Sequence, residues 1–113
     1  MNPLNYASLE ASKKLVEARI VLKTDIQWAN VIGFDGSEDW ELNASWGEYP
    51  APTMADVWRE LPDDIDGHEL GMGKEDGESY VFYKSLKDFP YNTNPTDALI
   101  DLLIWVRSER GRR

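Results

Sequence analysis

The chain has 113 residues, no cysteine, and 21 acidic against 12 basic side chains, a net charge of −9. With 42% apolar residues it is too hydrophobic for disorder, and one domain of this length buries roughly two-thirds of its unfolded surface. Disulfides and thiolate metal sites are excluded, no apolar run reaches the ~20 residues of a membrane span, and the acidic surplus repels nucleic acid and anionic lipid.

The first predicted element is a helix, with Leu4, Ala7, Ala11, Leu15, Ala18 and Leu22 at 3–4 spacing and lysines on the other side. Its start is either Asn2, just before Pro3, or Ser8. A hairpin follows, strand 26–34 turning at Asp35-Gly36 into strand 39–46, with Ile26, Trp28, Ile32 and Phe34 facing one side. In "EYPAPTMADVWRELPDD" the prolines hold the chain extended, Thr53 is an N-cap answered by Asp56, and Pro62 stops the helix. Met54, Val57, Trp58 and Leu61 form its apolar stripe, which places Trp58 in the core. A second hairpin, 67–74 with 79–85, turns at Asp76-Gly77. In "NTNPTDALIDLLIWVRSER" Asn94 caps a last helix with Pro95 at its first position, and Gly111 with the arginines ends it. That helix is apolar on nearly every side from Ala98 to Val106, Asp101 excepted, so it is buried on more than one face.

The order α-β-β-α-β-β-α predicts an α+β domain over residues 1–107, one four-stranded antiparallel sheet covered by three helices, with a basic tail at 108–113. The two Asp-Gly pairs stand 41 residues apart, as do the proposed helix caps near Ser12 and at Thr53 and Asn94, so a repeated helix–strand–strand topology is expected, without residue identities that would demonstrate a duplication.

The stretches "ASLEASKKLVEARI", "DIQW", "YPAPTMADVWRELP" and "NPTDALIDLLIWV" together resemble a widespread group of small phage and prophage proteins. Those proteins carry a YPAPT-like helix start and a C-terminal apolar helix of the D-A-L-x-x-L-L-I-W-L type. The resemblance spans about residues 8–107 and is weakest at "GMGKEDGE". It implies a mobile-element origin and an α/β sandwich, and it supplies no functional residues.

Charge is concentrated between residues 35 and 78, where fourteen acids meet only Arg59 and Lys74. Asp35, Glu38, Asp39, Glu41, Asp63, Asp64, Asp66 and Glu69 are the candidate partner-binding acidic surface, suited to a basic protein. Chemistry has little to draw on. His68 stands alone among Asp63, Asp64, Asp66 and Glu69, and Asp64-x-Asp66-Gly67 is only a fragment of a calcium loop, so this reads as a solvated acidic loop. Gly71, Gly73 and Lys74 lack the ending of a phosphate loop and read as strand and turn glycines. No catalytic residue, cofactor or metal is expected.

The leading expectation is a cytoplasmic, non-catalytic accessory protein that binds another protein. An acidic DNA mimic that inhibits a host defence enzyme, or another DNA-binding enzyme, is the alternative, and a small carboxylate-dependent hydrolase is the second. A monomer is expected, with a homodimer as the competing arrangement, and no direct contact with nucleic acid or membrane.

Overall fold

A computed structural model of the protein describes residues 5–110. The helix start at Asn2, the apolar Leu4 and the stop at Gly111 lie outside the described residues. Within them the class and the element order are those the sequence predicts, an α+β chain of three helices and two antiparallel sheets.

Helix α1 (Leu9–Glu17) starts at Ser8, whose Oγ accepts from the Ala11 N–H at 3.1 Å. It is shorter than its apolar spacing suggests. Ala7 and Leu22 are buried but flank the helix, and Ala18 is its exposed C-cap, followed by Arg19 at a positive φ of 60°. Ser12 is buried in mid-helix, so the repeated cap near Ser12 is corrected to Ser8 and the 41-residue offset does not extend to the first helix.

Strands β1 (Gln27–Ile32) and β2 (Glu38–Asn43) pair antiparallel, and the short β3 (Tyr49–Pro50) pairs with the start of β1. The turn is closed by Gly36 N–H donating to the Gly33 carbonyl at 3.0 Å, with Gly36 at φ 83°. Helix α2 (Met54–Glu60) follows behind a complete capping box: Thr53 Oγ1 accepts from the Asp56 N–H at 3.2 Å and Asp56 Oδ2 from the Thr53 N–H at 3.0 Å.

The second sheet has the order β4-β5-β6-β7, from β4 (Asp64–Ile65), β5 (His68–Glu75), β6 (Glu78–Tyr83) and β7 (Lys87–Asp88). Asp76 and Gly77 sit at φ 52° and 79°, the two left-handed residues a tight hairpin turn requires. Asp66 and Gly67, at 51° and 87°, make the same turn between β4 and β5. Helix α3 (Pro95–Arg110) begins at Asn94, whose Oδ1 accepts from Thr96 N–H at 2.9 Å and Asp97 N–H at 3.2 Å. It runs past residue 107, into the segment expected as a tail.

The expectation of one sheet is overturned: the two hairpins lie in separate sheets. The far side of β1 is taken by β3, whose Pro50 has no N–H with which to extend a ladder. The core gathers around α3, with Leu99, Ile100, Leu102 and Leu103 fully buried among residues of α1, α2, β4 and β6. No residue of β1, β2 or β3 belongs to that cluster. The first hairpin lies beside that cluster, joined to it where the Trp28 Nε1–H donates to the Ala7 carbonyl at 2.9 Å, and the overall extents are 54 × 35 × 19 Å.

Candidate functional site

The eight candidate acids are all exposed, and they fall into two groups on different sheets. Asp35, Glu38, Asp39 and Glu41 belong to the first hairpin. Asp35 Oδ1 accepts from Ser37 Oγ–H at 2.6 Å and Ser37 N–H at 3.0 Å, and these bonds hold its carboxyl below the usual carboxylate value. That carboxylate organises the turn. Beside it Phe34 is fully exposed, and Ile32 is exposed two residues back.

Asp63, Asp64, Asp66 and Glu69 surround the β4–β5 turn, where Asp64 Oδ2 accepts from Gly67 N–H at 3.0 Å. Among the described residues no group of three or more His, Asp or Glu side chains could hold a metal ion. His68 ties the start of β5 to the segment after β6. Its Nδ1 faces the Lys84 carbonyl at 2.8 Å, and a carbonyl only accepts, so Nδ1 carries the proton.

Trp58 departs from its expected place in the core. It is 42% exposed, and Met54 beside it is 40% exposed, while Val57 and Leu61 are buried. The reason lies in helix geometry. Trp58 is turned about 100° from Val57, and in so short a helix α3 covers only the Val57 edge of the stripe.

The exposed edge lines a trough. One hollow, about 600 Å³, is bounded by Asn5, Thr53, Met54, Ala55, Arg59 and Met72 together with Trp58. A second, about 490 Å³, has Trp58 on one side and Asp63, Asp64, Gly67, Glu69 and Leu70 around it. Leu70 and Met72 are two apart on β5, so they share a face of that strand. Met54 and Trp58 are one turn apart on α2. The two hollows therefore flank the indole, an apolar one beside Met54 and Met72 and an acidic one beside Leu70, and together make up a trough along α2 and β5.

A third feature lies in the β5–β6 pair of the second sheet. Gly71 and Gly73 pair across from Phe82 and Tyr80, and a Cβ on either glycine would fall 2.2 Å and 2.1 Å from the facing ring. The rings lie over the glycines, with centroids 6.1 Å apart and planes 19° apart, and Tyr91 adds a third ring 5.0 Å from Tyr80. The two glycines thus make room for rings, which the bare "GMG" pattern does not specify.

No helix among the described residues is long and apolar enough to cross a membrane. Comparison with models of protein families, with curated proteins and with solved structures found no match.

Proposed function

We propose that this chain is a non-catalytic accessory protein that acts by binding another protein, in the phage or prophage setting its YPAPT and DALIDLLIWV motifs suggest. The observation that carries the reading is the exposure of Trp58 and Met54 over an apolar hollow that adjoins an acidic one. Large exposed apolar groups in a concave setting mark contact sites, and Trp is prominent among the residues that dominate binding energy. Phe34, held clear of the body by an ordered turn, offers a second contact of the same kind.

Mimicry of DNA calls for a row of acids on one face. On β2, however, Glu38 points opposite to Asp39 and Glu41, and the remaining candidates beyond the first hairpin lie on another sheet. Hydrolysis calls for carboxylates converging in a sheltered cleft, and these are exposed. Both placements favour binding over either alternative.

The test is capture from a host lysate by immobilised wild type and Trp58→Ala, in parallel with Phe34→Ala. A partner retained by the wild type and lost with Trp58→Ala, the variant keeping its amide spectrum, supports the reading. Capture indifferent to both substitutions would sink it.

A further inference from the structure

Resting on that protein-binding reading, we infer that the occupant of the Trp58 trough is a short cationic, amphipathic segment of the partner. It places an aliphatic or aromatic anchor between Met54, Ala55 and Met72, and a Lys or Arg over Asp63, Asp64 and Glu69.

Charge selects this occupant. Among the described residues Asp63, Asp64 and Glu69 enter none of the three ion pairs, which join Lys14 to Asp101, Arg59 to Asp56, and Arg107 to Glu60. Among the described residues no ion pair neutralises these three acids, and Arg59 at the apolar end is already engaged by Asp56. A second copy of a chain with net charge −9 would bring like charge to these acids, and nucleic acid or an anionic membrane would do the same.

Geometry sets the pattern within the segment. Met54 to Trp58 spans one helical turn, ~6 Å, and Met72 to Leu70 spans two strand residues, ~6.6 Å. A segment that lays one side chain in each hollow presents both from one side, at even spacing in an extended segment or three to four residues apart in a helix. The anchor side is lined by two methionines, whose flexible side chains adapt to Leu, Met or Phe alike. The cation would lie beside the Trp58 indole, where a cation–π contact adds to the ion pair.

The experiment titrates isotope-labelled protein with three synthetic peptides of one length. The first places Leu and Lys at helical spacing, the second replaces every Lys with Glu, and the third replaces every Leu with Ser. Spectra report the site and calorimetry the affinity, in low and high salt. The Leu–Lys peptide is expected to bind, shifting the Trp58 indole N–H and the Met54 and Met72 methyls. Its affinity is expected to fall about tenfold or more with Trp58→Ala, and again with the Asp64→Asn, Glu69→Gln pair. The Glu38→Gln, Glu41→Gln pair makes the same charge change on the first hairpin and is expected to leave binding nearly intact.

Equal weakening by both charge pairs would show diffuse attraction and overturn the inference. So would equal binding of the Leu–Glu peptide, or shifts confined to the first hairpin. If no peptide binds, the inference fails while Trp58-dependent capture from lysate still stands as the separate measure of protein binding.

Discussion

Asp97 sits where α1 and α3 begin, and two effects act on its carboxyl in opposite directions. Burial raises its pKa above 3.8, and the Ser8 N–H, donating to Oδ1 at 2.8 Å, pulls it back without restoring it. The sign follows from linkage: the folded state holds this proton more tightly than the unfolded state, so the stability Asp97 contributes is full below 3.8 and is lost as pH rises through its elevated folded value. Asp97→Asn keeps an acceptor for Ser8 but removes the titration. Its stability relative to wild type is expected to increase from below pH 3.8 towards neutrality, measured by urea denaturation at a series of pH values. A flat difference, or one that falls with pH, would reject this account of Asp97.

The capping elements differ in how deeply they are built in. Thr53 closes its box at the edge of the fold, whereas Asn94 is buried, caps with Oδ1 and donates from Nδ2 to the Tyr6 carbonyl at 3.1 Å. Both Ala substitutions are expected to cost about 0.5–2 kcal/mol through the lost cap alone. Asn94→Ala is expected to cost more than Thr53→Ala, because it also empties a buried cap position and removes the donor to the partly buried Tyr6 carbonyl. Chemical denaturation giving the reverse order would contradict this ranking. Both caps are legible in the sequence because capping is local chemistry, carried within three residues of one another. What tertiary packing decides is not. The Met54–Leu61 stripe names an apolar side of α2 but not which edge α3 covers, so the stripe alone places Trp58 in the core. Asp66-Gly67 has the same turn chemistry as Asp76-Gly77, yet its two-residue partner strand, Asp64–Ile65, is too short to show alternation, so the acids around it look like a loop. The Gly71–Phe82 and Gly73–Tyr80 pairs are within reach of sequence reasoning, since a turn fixed at 76–77 sets the register that brings them together.

At the scale of the whole molecule, α3 explains both why the fold holds and where its surface is left open. Leu99, Leu102, Leu103, Ile104 and Trp105 spread around most of the helix, which one sheet alone could not cover. The flanking elements bury three of them within one chain and leave Ile104 and Trp105 partly buried. Leu99, Leu102 and Leu103 are fully buried, Trp105 lies 6.4 Å from both Tyr83 and Phe89, and ion pairs from Lys14 and Glu60 reach α3 at Asp101 and Arg107. Those exposed pairs contribute little, and the apolar contacts carry the helix. With most of the apolar surface of α3 buried internally and a net charge of −9 on each copy, self-association is disfavoured. A concentration-independent 13.0 kDa species is therefore expected in sedimentation. Leu103→Ala is expected to lose about 2–5 kcal/mol through the cavity it opens, without changing that oligomeric state. Trp105→Arg is expected to destabilise the monomer itself, because the indole packs on Tyr83 and Phe89. A stable wild-type dimer that Trp105→Arg separates into folded monomers would place the surplus apolar surface of α3 between two chains and refute this arrangement.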